Sequence, residues 1–130
     1  MSAEDVLARG RRAAESLMTD TVRVSRASGP PVTDPETAVV SRPSVVVYEG
    51  IGRVQGRATE AKTVDGVQVY ILSDLIVQLP SVVEPISDDE VEVLASVMDP
   101  HLVGRTFRVK SAPRKSHATM TRCEAEEVAA

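Results

Sequence analysis

The segment Val67–Leu79, VQVYILSDLIVQL, closed by Pro80, decides the fold. Its odd positions Val67, Val69, Ile71, Leu75, Val77 and Leu79 are apolar with only Ser73 interrupting, while Gln68, Asp74 and Gln78 fall on even positions. That is the period of two of a strand with a buried face, not the 3.6 of a helix. At ~3.3 Å per residue the segment would extend roughly 40 Å, about twice an ordinary strand. The pattern therefore predicts one long strand, bent near Ser73–Asp74, with Tyr70, Leu72 and Ile76 partly covering its second face. A strand of this kind needs a sheet curled around it. Val69, Ile71, Val77 and Leu79 are expected in one core with Phe107 and Val109.

Just upstream, Val45–Gln55 reads VVVYEGIGRVQ, a second strand with Val45, Val47 and Ile51 on one side and Tyr48 and Val54 on the other. Gly50, Gly52 and Gly56 share the Tyr48 side, where missing side chains let a strand turn a barrel corner. Their GxGxxxG spacing, with no helix following, does not match a dinucleotide fingerprint. Between the two strands, RATEAKTVDG (Arg57–Gly66) is polar and ends in an Asp-Gly turn signal, which predicts a long hairpin tip.

Downstream, Pro85 breaks the pairing, and Val91 and Val93 alternate with Glu92 in a strand to about Val97. Asp88, Asp89, Glu90 and Glu92 read as a solvated lead into that strand. A turn at Asp99–Pro100 and a bend at Gly104 precede a strand with Phe107 and Val109 inward and Arg108 and Lys110 outward, ended by Pro113. From His117 to Val128 the alternation is loose, so either a last strand or, from Glu124 onward, a short helix is expected. At the N-terminus, Ser2 and Asp5 form a capping-box pattern for a helix over Ala3–Met18 with the apolar stripe Val6, Ala13, Ala14, Leu17 and Met18. Thr21–Ala27 follows as a strand with Val22 and Val24 inward, and SGPPVTDPET (Ser28–Thr37) as a surface loop. One helix and about six strands with hairpin connections make an α+β, mainly β fold: a small antiparallel β-barrel or sandwich with an N-terminal α-helix, in a single domain over residues 1–130.

Composition narrows the function. Aromatic residues are only 2% of the chain, so a core must be filled by Val, Ile, Leu and Ala, and few rings are left to stack on bases. The net charge of −4 argues against a protein whose main task is to grip phosphates. Arg outnumbers Lys and Asn is absent, a bias towards GC-rich codons. No secretory signal and no membrane span are expected, because no apolar run approaches ~18 residues. The single Cys123 allows neither an internal disulfide nor a cysteine-built zinc site.

Catalytic patterns are missing as well. His101 and His117 show no metal-ligand spacing, Ser116–His117 lacks a nucleophile elbow, and the acidic run around Asp88 lacks the register of an EF-hand. No cofactor, metal or enzymatic activity is expected.

The order VYEGIGRVQ, VQVYILSDLIVQLP, ISDDEVEVLASVMDPHLVGRTFRVK and SHATMTRCEAEEV resembles the small head-completion proteins of long-tailed actinobacterial phages, the head-to-tail connector or stopper group. Asp99–Pro100, Leu102–Arg105 and Phe107–Val109 are the most distinctive part of the match. The resemblance implies a virion protein of the neck, assembled in the host cytoplasm. Copies of it would form a ring below the portal and adaptor, close the filled head, and receive the tail terminator or tail tube. Genomic DNA would pass through the ring without sequence-specific binding. A tail-terminator or tail-completion ring protein is the alternative. Within this reading the tip residues Arg57, Thr59, Glu60, Lys62 and Asp65 are candidates for a channel-gating loop, and Arg9, Arg11 and Arg12 for a docking helix that meets an acidic neighbour. A surface without long apolar patches is expected, with a monomer or weak oligomer in isolation.

Overall fold

The computed structural model describes residues 2–57, 60–71 and 74–128. Helix α1 spans Ala3–Ser16, and strands follow as β1 (Asp20–Ala27), β2 (Val32–Thr33), β3 (Val40–Ser41), β4 (Ser44–Arg57), β5 (Glu60–Val64), β6 (Val67–Ile71), β7 (Asp74–Pro80) and β8 (Glu90–Ser96). A single 3₁₀ turn at Pro100–Leu102 leads into β9 (Thr106–Ser111) and β10 (Met120–Glu127). Six strands close a barrel in the order β1-β4-β7-β10-β9-β8, every neighbouring pair antiparallel. The expected mainly β fold with one N-terminal helix is what the chain adopts.

The barrel interior is packed rather than hollow. Val22 and Val24 of β1, Val77 and Leu79 of β7, Val91 and Val93 of β8, Phe107 and Val109 of β9, and Cys123 and Ala125 of β10 form one buried cluster. Each pair sits two residues apart, as the inward face of a strand requires. Leu79 and Val77 join Phe107 and Val109 as the period-two reading demands, whereas the Val69 and Ile71 side chains lie outside the described residues. The loose pattern after His117 resolves as strand. Thr121, Cys123 and Ala125 are its inward positions, and the Thr121 hydroxyl donates to the Val83 carbonyl at 3.0 Å, so a polar residue is accepted inside.

Three expectations change. First, Val67–Pro80 is two strands with different partners: β6 pairs only with β5 in a separate two-stranded sheet, while β7 lies in the barrel between β4 and β10. Second, α1 ends at Ser16 and its inward stripe is displaced. Ala14 and Met18 are buried, and Leu7, Gly10 and Arg11 are half-buried, but Val6 and Leu17 stay exposed at 55% and 58%. The capping box is present, with the Ser2 hydroxyl accepting from the Asp5 N–H at 3.2 Å and the Ser2 N–H donating to Asp5 Oδ2 at 3.3 Å. The helix lies close to the chain at 118–119: a Cβ on Gly10 would come within 2.8 Å of Thr119 Cγ2. Third, Asp89 is no solvated carboxylate. It is 1% exposed and takes Arg26 in a two-pronged contact, Nε to Oδ1 and Nη2 to Oδ2, both at 3.0 Å, with the Ile86 N–H donating to Oδ2 at 2.9 Å. The fork-to-fork geometry offsets the desolvation of a carboxylate held this deep. Asp88 and Asp89 also exchange backbone bonds of 2.8 Å with Val109, which fastens the β7–β8 connection to β9. The Ser28–Thr37 loop contains β2, which pairs with β3 as a small exposed hairpin between β1 and β4.

Candidate functional site

Two surfaces stand out from the packed barrel. One is the β5–β6 ribbon. The β4–β7 pairing runs to the rung Arg57↔Asp74, and the ribbon takes over at Glu60↔Ile71 and continues to Val64↔Val67. Its turn is Asp65–Gly66 with φ of 51° and 79°, the double left-handed geometry of a type I′ hairpin, where glycine at the second position removes the steric cost. Five rungs at ~3.4 Å give a ribbon roughly 15 Å long with no barrel strand beside it. The expected polar tip is thus a regular two-stranded extension of the two barrel strands it connects. Arg57 ends β4, Glu60 and Lys62 lie on β5, and exposed Asp65 forms the turn. Thr59 lies outside the described residues.

The second surface is α1. Arg9 and Arg12 are exposed and make no ion pair or hydrogen bond among the described residues, and they line a shallow groove with Asp5 and Ala8. Arg11 departs from the expected trio. Its Nε donates to the Ala118 carbonyl at 3.3 Å, so it tethers the helix to the loop before β10 instead of facing a partner. Apolar periodicity could not identify it, because a guanidinium stem packs on the inward side while its head finds a carbonyl.

Sequence reasoning missed the outer surface of β4. On it Val46, Val47 and Ile51 are between 41% and 55% exposed, a short apolar strip on a surface expected to lack long ones. The inward side of this strand carries Tyr48, Gly50, Gly52 and Val54. A Cβ on Gly50 would come within 2.8 Å of the Tyr48 hydroxyl, so the glycine makes room for that ring, and the hydroxyl donates to the Ile51 carbonyl at 2.7 Å. β1 pairs with β4 only up to Gly52, and β7 begins only at Arg53. Among the described residues, no strand pairs with the far edge of β4 from Ser44 to Gly52. The signal for this was present in the run Val45–Val47, where apolar residues fall on both faces of a strand.

No group of three or more His, Cys, Asp or Glu that could hold a metal ion occurs among the described residues. His101 and His117 are exposed, the latter in a left-handed turn at φ 57°. Burial, with the Asp89 charge adding to it, pushes the Cys123 thiol from 9.0 up to about 12, which makes it a packing residue and not a nucleophile. Further ion pairs lie across the outer surface, among them Arg108 with Glu126, Arg105 with Glu127 at 3.2 Å, and Arg23 with Glu49 at 3.2 Å. No described helix is long and apolar enough to cross a membrane.

A family profile matches residues 10–126, from the middle of α1 to the end of β10. The chain belongs to DUF6093, a family of unknown function. No curated protein sequence matches it. Its fold is similar to the solution structure of protein SF1141 from Shigella flexneri 2a, at 8% identity and a TM-score of 0.55 over 85% of this chain and 92% of that one. The protein xkdH of the phage-like element PBSX from Bacillus subtilis aligns at 10% identity and a TM-score of 0.42 over 83% of this chain and 92% of that one. At such identities the likeness to SF1141 speaks to the fold of this DUF6093 member alone.

Proposed function

We propose that this DUF6093 member is a structural protein of the head-to-tail junction of a long-tailed phage, a ring-forming connector of the stopper type. The observation that carries the reading is the β5–β6 ribbon, which joins two paired barrel strands, forms a sheet of its own and ends in a tight polar turn. The filled interior of a six-stranded barrel offers no passage, so a channel for DNA would have to run between subunits, with one ribbon from each reaching into it. A ribbon paired only with itself can swing at little cost in buried contacts, as a gate requires. Glu60 and Asp65 would repel passing phosphates while Arg57 and Lys62 attract them, so DNA would slide without being held. The sequence resemblance to head-completion proteins supports the same reading, as does a surface whose charges are arranged in cross-strand pairs.

The test removes the ribbon alone. Arg57 and Asp74 are a paired rung, so residues 58–73 can be replaced by an Asp-Gly turn without changing the barrel register. In a phage encoding the chain, this variant should still join the neck, yet filled heads should leak DNA. Heads that retain their DNA as well as wild type would place the gate elsewhere.

A further inference from the structure

We infer that the outer face of β8–β1–β4 seats the exposed side of α1 from a second copy of this chain, in a head-to-tail contact. The paired registers build the first surface rung by rung. Glu90, Ser25 and Val46 form one outward row, Glu92, Arg23 and Glu49 the next, and Ala95, Thr21 and Ile51 a third. Acidic residues thus stand on β8, with Asp88 just before it, and aliphatic residues on β4. Arg23 is engaged by Glu49, and Arg108, beside Glu90 on β9, is already held by Glu126. Arg42, which shares a hollow with Asp88 and Glu90, offsets only part of the remaining negative charge.

The opposing surface carries the complementary set. Arg9 and Arg12 are exposed cations without a partner among the described residues, and Val6, Ala13 and Leu17 form an exposed apolar row on the same helix. Lys115 and Arg122, exposed and also unpaired, extend the basic character along the loop into β10, on which α1 rests through Arg11 and Gly10. Of the acids on the same helix, Asp5 is occupied by the N-terminal cap, while Glu4 and Glu15 stand towards its two ends. Aliphatic groups of β4 would lie under the apolar row of α1, while the arginines meet the β8 carboxylates.

Placement makes the contact heterologous. In the barrel order β1-β4-β7-β10-β9-β8, β1 stands across from β10 and β8 across from β7. The helix packs against β7 and β10, on the side of the barrel away from β1 and β8, so its arginines do not meet the β8 carboxylates of their own chain. Two different patches on opposite sides generate a ring or an open chain of subunits, not a closed dimer. The exposed aliphatic residues of β4 make a small strip, suited to a weak contact that becomes strong only when repeated around a ring. None of this depends on the connector assignment.

The test uses two single-cysteine variants of the full chain, Val46→Cys and Ala13→Cys, mixed at low salt with a short bis-maleimide. Cys123 is buried and does not compete. The mixed pair should cross-link well above either variant alone, and a chain bearing both cysteines should give a ladder of trimers and higher species. Ile51→Cys with Leu17→Cys repeats the measurement if either first variant fails to fold by circular dichroism. Arg9→Glu with Arg12→Glu in the helix partner should lower the yield about tenfold, and Glu90→Lys with Glu92→Lys in the other should restore it. Predominant Val46→Cys homodimers, a product that stops at dimer, or a yield indifferent to both charge reversals would overturn the inference.

Discussion

Gly52 offers the sharpest test of the packing. A Cβ there would lie 2.8 Å from Val22 Cγ2 and 3.3 Å from both Val22 Cγ1 and Leu79 Cδ2. Carbon atoms in contact prefer about 3.5–4.0 Å, so an added methyl overlaps Val22 by most of an ångström. Val22 and Leu79 are fully buried, and a valine has little rotamer freedom with which to withdraw. Gly52→Ala should therefore cost about 1–3 kcal/mol by overpacking. With an unfolding entropy of ~2.1 cal/mol/K per residue, that lowers the melting temperature by about 4–11 °C for a chain of this length. Val22→Ala alone should cost about 1.6 kcal/mol in transfer free energy plus a cavity term. In the double variant the new methyl occupies the space that Cγ2 vacated, so overlap and cavity relieve each other. Its loss should fall short of the sum by about 1 kcal/mol or more. Urea and thermal unfolding of the three variants, followed by circular dichroism, supply the cycle. Additivity within about 0.3–0.5 kcal/mol, or a Gly52→Ala variant as stable as wild type, would refute the inward placement of Gly52.

Three further outcomes follow from the same core. Leu79→Ala, at a fully buried position, should cost about 2–5 kcal/mol and lower the melting temperature by about 7–18 °C in a thermal scan. Asp89→Ala should cost about 3 kcal/mol by denaturant titration, the low end for breaking a buried pair because the Arg26 side chain keeps 34% exposure. Arg26→Ala should cost at least as much, since it strands the carboxylate; a harmless Arg26→Ala would show that Asp89 does not need its partner. Cys123 sets an alkaline limit. Its folded-state pKa of about 12 lies above the ordinary 9.0, so both states keep the proton below pH 9 and the unfolded state loses it first above that. Stability should decline between pH 9 and 12 by up to about 4 kcal/mol, and Cys123→Ala should flatten that decline in pH-dependent urea titrations.

What could be read from residues alone was whatever depends on neighbours in the chain. Val22 with Val24, Val91 with Val93 and Phe107 with Val109 each announce an inward face by spacing, and Asp65–Gly66 announces its turn by the backbone angles it needs. Where the partner is distant, the signal vanishes. Arg26 and Asp89 are 63 residues apart, and nothing in the run Asp88–Glu92 marks the second carboxylate as the buried one. The division of Val67–Pro80 failed to show for a related reason. Alternation specifies which face of a strand is apolar but not which strand lies beside it, so a ribbon and a barrel strand in succession look like one long strand. On α1 the apolar stripe misled because contact there rests on Gly10, which lets the backbones approach, and on Arg11, which bonds a carbonyl.

The exposed valines of β4 connect composition to function. A six-stranded barrel holds little more than one inward layer per strand, and Phe107, Leu79 and the paired valines already fill it. Apolar residues beyond that capacity lie outside, and among them Val46, Val47 and Ile51 sit on a strand whose far edge pairs with no described strand from Ser44 to Gly52. An edge of this kind would invite indiscriminate pairing in a protein that lived as a monomer, and natural sequences blunt such edges with lysine, proline or a covering element. Here charges flank the valines instead: Glu49 on β4 itself, Arg23 on the adjoining β1, and Glu90 and Glu92 one strand further on β8. A bordered apolar edge selects its partner by charge and keeps its contact by burial. That combination would suit a subunit whose neighbour is another copy of itself, as the proposed head-to-tail contact requires.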